Sequence, residues 1–407
     1  MKLTSDLIIG ACRDESSDSG LRIVTELAPI AGNGAPVRAA GYTEGRLQLD
    51  KRWIGNEDER RLADIVVIDN VPSQANRLES ALKQTLAATG LPSFRLSLEE
   101  FDGLPAHFPK ALSSFDFPHR QADAYLRDAF MDGQAFGKTQ IGQGVFSATA
   151  DAPEELFGHF PQALLFGFWQ SHLGKTRSQA KLARSWVSEI VGVDPATTAT
   201  RVLGVKGDPL NLSADEAVLW DEYDPESWTF AEGTTATKGA KKAGEKKNAL
   251  SAIGHGQVPF KAGEEALAAI SFGSISQVST GSIASLRRIN CSPTLGDQRA
   301  EANASGRALL LCIGLVAHIY AFTRPFSLRS ACDLRPVAIS ATWLGADGDI
   351  EVELPTFDES VALLAACGDR AEASGLPVGS KWQREPIELR PSDALAKAIR
   401  DTVGGTK

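Results

Sequence analysis

The sequence predicts an α+β fold, because short apolar runs typical of buried strands are interspersed with stretches whose apolar residues recur at helical spacing. Ile65–Ile68 (IVVI), bounded by Asp64 and Asp69, indicates a buried strand. A helix is expected to start at Pro72, because Ala75, Leu78, Leu82 and Leu86 follow at helical spacing. With 407 residues the chain is long enough for one large elaborated domain or two ordinary ones.

The other predicted elements follow in chain order. They are a strand at Arg22–Ala28, a helix from near Pro118, a glycine-rich stretch at Gly133–Gly144, a strand at Ala163–Trp169, a helix over about 177–191, strands from Ile270 leading into a turn or short helix by Ile289, and helices near 308–321, 360–373 and 393–402. The helix near Pro118 is predicted from Ala122, Tyr125, Leu126, Ala129 and Phe130. The helix over 177–191 is predicted from Leu182, Ala183, Trp186, Val187, Ile190 and Val191.

Composition and charge exclude several classes of protein. The formal net charge is -9, which argues against a protein that coats nucleic acid with a uniformly basic surface, although a local basic groove remains compatible with it. The five cysteines form no CxxC pair, which indicates reduced structural thiols. The apolar stretch Ala308–Phe322 is shorter than a membrane span needs and predicts a buried helix. With no signal peptide recognisable at the amino terminus, we expect a cytoplasmic protein.

The middle of the chain changes character. Asp208–Glu232 holds eight acidic residues and no Lys or Arg, and Thr237–Asn248 then holds five lysines and one glutamate. Such a run is usually a solvated, mobile loop. The alternative is a loop that faces nucleic acid and becomes ordered only on binding.

Two common catalytic motifs are absent from the sequence. GKT occurs at 137–139 and 174–176, but a phosphate-binding loop needs glycine five residues earlier, where Asp132 and Trp169 stand. The six histidines form no HxH or HExxH pattern, so a zinc enzyme is not expected.

A basic stripe is predicted on the helix over 177–191. Arg177, Lys181 and Arg184 are spaced by four and three residues, with Lys175 just upstream and no acid between Lys175 and Arg184. Such a stripe can follow a phosphate backbone, each contact releasing a counterion. A solvated helix face is the alternative interpretation.

The turn Asp69–Arg77 is dense in short polar side chains at a predicted helix start. Free backbone N–H groups and the helix dipole favour an anion there, so Ser73, Gln74, Asn76 and Arg77 are candidate contacts. Simple capping by Asp69, Asn70 or Ser73 is the alternative.

The segment Phe117–Arg120 precedes Asp123, Arg127 and Asp128. In a nuclease, His119 would be the general base and the aspartates would bind a metal. Interleaved arginines would pair with these carboxylates and repel a metal, so an ion-pair network or RNA contacts by His119, Arg120 and Arg127 are favoured. His255, between two glycines, is either a ligand contact or part of a structural turn.

Several segments together resemble one family. They are VVIDNVPSQANRLESAL (66–82), FPHRQADAYLRDA (117–129), LLFGFWQS (164–171), AKLARSWVSEIVG (180–192), IGHGQVP (253–259), ASLRRI (284–289) and LRSACDLRP (328–336). Their order and spacing resemble the CRISPR-associated backbone subunit of type I-U systems, also called type I-G, in the RAMP superfamily. The resemblance runs from about Arg22 to Pro336.

The resemblance implies a modified RRM-like (ferredoxin-like) palm over 1–336 with large helical and loop insertions, residues 208–248 being a variable loop, followed by a strand and helical extension over 337–407 that packs on the same domain. It also implies a non-enzymatic subunit without metal or cofactor. Such a subunit binds CRISPR RNA and pairs target DNA through the guide. The resemblance further implies contacts with other copies of the chain and with other subunits of the effector complex, and no contact with a membrane. Arg287 and Arg288 join the RNA-binding candidates through the ASLRRI segment.

Two other functions stay open. The first is a metal-dependent ribonuclease using His119, Asp123 or Asp128, since some related RAMP proteins cut RNA. The second is an interaction protein that joins a complex through protein contacts alone, using its acidic face.

Overall fold

The structure is a computed structural model of the 407-residue chain. The residues that it describes are 1–42, 46–55, 57–99, 101, 108–170, 180–196, 210, 216–221, 224–235, 241–242, 245–246, 269–379, 382 and 385–403. Helices and strands alternate along these residues, so the predicted α+β class is confirmed.

The described helices include one long member. The helices are α1 Ser5–Ala11, α2 Val71–Gln84, α3 Leu86–Thr89, α4 Ala124–Arg127, α5 Gln140–Ser147, α6 Glu154–His159, α7 Pro161–Phe166, α8 Ile283–Leu286, α9 Arg299–Phe322, α10 Phe357–Ala373 and α11 Asp393–Val403. The long member is α9, on which α1, α2, α7, α8 and α10 pack.

The strands form one large sheet, a smaller sheet and several short ribbons. They are β1 Gly20–Pro29, β2 Val37–Arg38, β3 Leu49–Ile54, β4 Arg61–Asp69, β5 Phe94–Ser97, β6 Ala111–Ser113, β7 Ala129–Met131, β8 Gln134–Ala135, β9 Phe168–Gln170, β10 Ala180–Leu182, β11 Trp186–Pro195, β12 Glu216–Asp221, β13 Asp224–Thr235, β14 Lys241–Lys242, β15 Glu245–Lys246, β16 Ala269–Ile270, β17 Phe272–Ser282, β18 Phe326–Arg329, β19 Cys332–Gly345, β20 Gly348–Val352 and β21 Ile387–Pro391.

The large sheet has the order β18-β19-β1-β17-β11-β4-β3, with β20 on β19, and its neighbours are antiparallel. The smaller sheet has the order β6-β5-β21-β7-β8, in which β21 and β5 are parallel. The predicted boundary at residue 336 lies inside β19, which pairs directly with β1.

One face of the large sheet is covered by helices. Its inward residues, such as Ile23 and Trp186, join the main core together with α9, whose residues are buried along most of the helix. α9 is long and apolar enough to cross a membrane by length and composition alone, but 89% of that apolar window is buried in the protein. The prediction of a buried helix there is confirmed.

α9 lies very close to the sheet. A Cβ at Gly314 would be 2.2 Å from Cε3 of Trp186, and one at Gly281 would be 2.4 Å from Leu311. Because real Cβ atoms do not approach so closely, glycine at both positions allows the long helix to pack on β11 and β17.

Several predicted elements are confirmed, and three are corrected. β1, β4, α2, β17, α8, α9, α10 and α11 lie where the patterns placed them. The strand expected at Ala163–Trp169 is instead the end of α7 followed by β9, because Gly167 at φ +77° ends the helix. A Cβ at Gly167 would lie 2.6 Å from the Leu182 carbonyl oxygen, so the turn requires glycine.

The helix predicted near Pro118 is only a single turn, α4. Arg120 has φ +54°, which no α-helix accommodates, and Asp123 then caps α4 by accepting a hydrogen bond from the Tyr125 N–H. Ala129 and Phe130, expected on the same helix, belong to β7. A continuous helix would have placed Arg120, Asp123 and Arg127 on one face, and the structure has no such face.

The helix predicted over 177–191 is wrong in its described part, residues 180–191, where the chain forms β10 and β11. Trp186 to Val193 alternates between the helix-covered face and the opposite face, and it pairs with β17 on one side and β4 on the other. Four valine or isoleucine residues in this stretch favour a strand, and pairing on both edges outweighs the weaker helical pattern.

Candidate nucleic-acid interface

A fully buried carboxylate, Asp69, lies at the end of β4 and holds two arginines. Arg77 Nε donates to Asp69 at 2.9 Å, and Arg329 Nη2 donates at 2.7 Å. Each guanidinium is about one quarter exposed, 27% for Arg77 and 23% for Arg329. One negative charge therefore sits beside two positive charges, which leaves a net positive charge at this part of the surface.

Polar groups at the start of α2 hydrogen-bond to nearby side chains of the same segment. Asn70 caps the helix by accepting from the Ser73 N–H, and Ser73 Oγ donates to Asp69 at 2.9 Å. Gln74 Nε2 also donates to Asp69, at 2.6 Å. The capping alternative is therefore the one that the structure supports for Asn70, and of the four candidates only Asn76 is exposed.

Gln74 is completely buried and links Asp69 to the sheet. Its Oε1 accepts hydrogen bonds from Ser188 Oγ at 2.8 Å and from Gln277 Nε2 at 2.7 Å, and Ser279 donates to Ser188. This network connects α2 with β11 and β17. Since buried hydrogen bonds specify position, Gln74 fixes the location of Asp69 and its arginines.

A second buried carboxylate, Glu79, lies further along α2. Arg120 Nε and Nη2 donate to its two oxygens, each at 2.7 Å, and Arg120 Nη1 donates to the Gly167 carbonyl at 2.9 Å. Burial raises the pKa of Glu79, and the Arg120 guanidinium opposes that rise. Arg120 is thus anchored inside the protein.

Arg184 belongs to the same cluster. Burial, and then repulsion from Arg120, lower the pKa of Arg184, while Glu79 raises it. Its Nε is buried and makes no hydrogen bond within the described part of the chain. Glu79, like Asp69, therefore sits among two arginines, and the sequence alone did not bring Arg120 and Arg184 together.

The β9–β10 hairpin carries an exposed aromatic side chain next to this cluster. Trp169 is 61% exposed, and Lys181 Nζ lies 5.9 Å from the centre of its ring. β9 pairs antiparallel with β10, so that Trp169 stands opposite Lys181. A cation over one face of an indole leaves the other face open for a nucleobase or another flat group.

His119 and Arg127 lie on the surface near α4. Asp123 accepts backbone N–H groups from His119 and Tyr125, each at 2.9 Å, and Arg127 pairs with both oxygens of Asp128. Across the described residues, no His, Cys, Asp or Glu side chains group in threes at metal-binding distance. The aspartates here act as a helix cap and as an ion-pair partner.

The remaining candidates lie elsewhere or outside the described residues. Arg287 donates to the Ala11 and Asp18 carbonyls, whereas Arg288 is exposed after α8. Lys175, Arg177 and His255 lie outside the described residues, as does most of 208–248.

Three important residues were missed by sequence reasoning. Arg329 was not selected, although it lies in the LRSACDLRP segment, because its partner Asp69 is 260 positions away. Glu79 and Trp169 were not selected either. For Trp169, a signal was available, since a tryptophan beside a basic stretch is a common feature of single-strand binding surfaces.

Comparison with known families gives a match to part of the chain. Residues 21–196 match the model of the family described as CRISPR-associated protein GSU0053. This segment contains the buried carboxylates Asp69 and Glu79 and all of the arginines beside them except Arg329. The resemblance to a CRISPR-associated family is thereby confirmed. No curated protein matches the chain.

Proposed function

Taking the match to a CRISPR-associated family as the premise, we propose that the chain is an RNA-binding backbone subunit of an interference complex of type I-U (type I-G). In this role several copies bind along the spacer of a CRISPR RNA and present it for pairing with target DNA. The subunit itself catalyses no reaction, and it contacts other subunits of the complex.

The order of elements supports an RRM-like palm. Strand β1, helix α2, strands β11 and β17, helix α9 and strand β19 follow each other as β-α-β-β-α-β, and the four strands are adjacent in the order β19-β1-β17-β11. β4 and β3 extend this sheet beyond β11. The helix-covered face holds the core, and the opposite face carries exposed side chains such as Val187 and Val278.

The observation that carries RNA binding is the pair of buried carboxylates along α2, each beside two arginines. A protein with net charge -9 thereby has a local positive surface at one helix. A phosphate backbone can supply the missing negative charge and releases counterions on binding. Trp169 and Lys181 add a surface that can stack a base without reading sequence, which suits a guide whose sequence is read by base pairing.

We assign direct contacts to ten of the candidate residues and positioning roles to the four whose hydrogen bonds hold neighbouring groups. The direct contacts are Asn76, Arg77, His119, Arg127, Lys175, Arg177, Lys181, Arg184, His255 and Arg288. Ser73, Gln74, Arg120 and Arg287 position their neighbours through the hydrogen bonds described above. The two sets predict different results, since loss of a contact weakens binding in the folded protein whereas loss of a positioning residue also lowers stability.

The experiment is to co-express the chain with a repeat–spacer RNA, purify it, and measure its size and its ultraviolet absorbance ratio. We expect a large assembly that protects RNA of discrete length. Assembly without RNA would support the protein-only interaction function, and metal-dependent cleavage lost in His119→Ala would support the ribonuclease.

A charge-reversal series then tests the basic residues. Reversal of Arg177, Lys181 and Arg184 together should weaken RNA retention and reduce the slope of log affinity against log salt by about 2, since each contact with single-stranded RNA contributes about 0.7. Reversal of Lys110, Arg335 and Lys397, which lie outside the candidate interface, is the charge-matched control. Equal retention at matched salt would show that the first set does not contact RNA.

A further inference from the structure

A groove whose described lining residues include two arginines and no carboxylate lies between the second half of α2 and the connection from α9 to β18. Its volume is about 510 Å³, and its walls include Arg77, Ser80, Gln84, Tyr320 and Arg324. Neither Asp nor Glu is among its lining residues. A groove whose described lining carries only positive charge favours an anionic ligand.

Among the residues that the structure describes, Arg324 is held in place by an aromatic ring and has no acidic partner. Its guanidinium lies 4.4 Å from the centre of the Tyr320 ring, and that ring packs in turn against Phe357 at 5.5 Å. In the part of the chain that the structure describes, Arg324 forms no ion pair. Stacking on an aromatic face orders a guanidinium while leaving its N–H edge free to bind a ligand.

Arg77 forms the opposite side of the groove and is oriented from behind. Its Nε and Nη2 donate to Asp69 and to the Leu328 carbonyl, so its described hydrogen bonds leave Nη1 available. Asp69 is shared with Arg329, and it therefore cannot neutralise both guanidiniums. The groove wall keeps a positive charge that is held rigidly by a buried carboxylate.

We propose that this groove binds a phosphate group of a polynucleotide backbone between Arg77 and Arg324. Guanidinium groups recognise phosphate oxygens through paired N–H donors, and Ser80 and Gln84 on the groove wall can donate further hydrogen bonds. A free phosphate ion has the same chemistry, so the test must separate the two sources. This inference rests on the proposed RNA-binding function and assigns it a site outside the candidate residues apart from Arg77.

The test uses the full chain and a labelled single-stranded oligoribonucleotide, with affinity measured by fluorescence polarisation between about 50 and 200 mM salt. In Arg324→Gln we expect weaker binding for every RNA sequence tested and a salt slope lower by about 0.7. Arg324→Lys keeps the charge and should retain the slope while binding more weakly than wild type. Arg335→Gln, on an exposed arginine of β19 outside the groove, is the matched control and should bind as wild type does.

Each result has a defined meaning. If wild type binds RNA and Arg324→Gln has the same affinity and slope, the groove inference is wrong while the proposed function stands. A lower melting temperature in Arg324→Gln with an unchanged slope would assign Arg324 a purely structural role and also overturn the inference. If inorganic phosphate stabilises wild type but not Arg324→Gln, and RNA binding is unchanged, the groove holds a free anion instead. A wild-type chain that binds no RNA would overturn both proposals.

Discussion

The buried ion pair between Glu79 and Arg120 allows a sharp stability prediction. The side chains are 6% and 9% exposed, and two parallel hydrogen bonds of 2.7 Å join them. Arg184 adds a second positive charge to the same cluster. Glu79→Gln keeps the size of the side chain and removes its charge, so that two guanidiniums lose their common counterion.

The expected cost follows from burial. Removal of one partner of a buried pair destabilises a protein by about 3–5 kcal/mol, because the other charge stays in a poorly solvated site. At roughly 2.1 cal/mol/K per residue, the unfolding entropy of 407 residues is about 0.85 kcal/mol/K if the chain melts as one unit. The melting temperature should therefore fall by about 4–6 °C.

Thermal unfolding followed by circular dichroism measures this change, and Glu99→Gln is the matched control. Glu99 also pairs with an arginine, Arg95, but is 55% exposed, so its loss should cost less than about 1 kcal/mol, or about 1 °C. The double variant Glu79→Leu with Arg120→Met should recover part of the loss, since it leaves no charge of this pair buried alone. A melting temperature of Glu79→Gln within about 1 °C of wild type would refute the reasoning.

Two other predictions concern the exposed side chain of Trp169 and the buried side chain of His318. Trp169→Ala should weaken binding of single-stranded RNA by about 1–3 kcal/mol, measured by fluorescence polarisation. Trp53→Ala, which removes another exposed tryptophan, is the control. Equal effects of both substitutions would contradict a specific base contact. Burial lowers the pKa of His318 to about 4, from 6.5, so its folded form stays neutral while the unfolded chain gains a proton below pH 6.5. The free energy of unfolding should fall by roughly 3 kcal/mol between pH 6.5 and 4. His318→Leu should reduce this fall in urea titrations, whereas the exposed control His119→Leu should not. The same pH dependence in wild type and His318→Leu would contradict the prediction.

The sequence located the elements that are stable through their own patterns. IVVI at 65–68 is a strand, and the residues after Pro72 form the amphipathic helix α2, because a run of buried side chains or a single apolar face is visible within a few residues. The long helix α9 and the polar start of α2 were likewise recognisable. All these features depend on neighbours within one or two turns.

The secondary structure was predicted wrongly where it depends on pairing with strands that are distant in the sequence. Residues 186–195 carry apolar side chains at spacings that suit a helix, but β17 and β4 pair with both edges of this segment. Hydrogen bonding along two edges outweighs a difference in local propensity that amounts to tenths of a kcal/mol per residue. Of the basic residues expected on one helix face, Lys181 instead lies in β10, paired with β9, and Arg184 lies between β10 and β11.

The candidate site shows the same division. The residue types at the start of α2 were visible in the sequence, and so were the individual arginines. Their pairing was decided by the tertiary structure, because Arg77 and Arg329 meet at Asp69 from positions 252 residues apart, and Arg120 reaches Glu79 across 41 residues. A buried carboxylate determines which arginine is anchored and which keeps free donors, and burial arises only when helices and sheet pack together. The sequence by itself therefore determined the local elements and the supply of charge, whereas the packed fold decided where that charge is neutralised and where it remains available to a ligand.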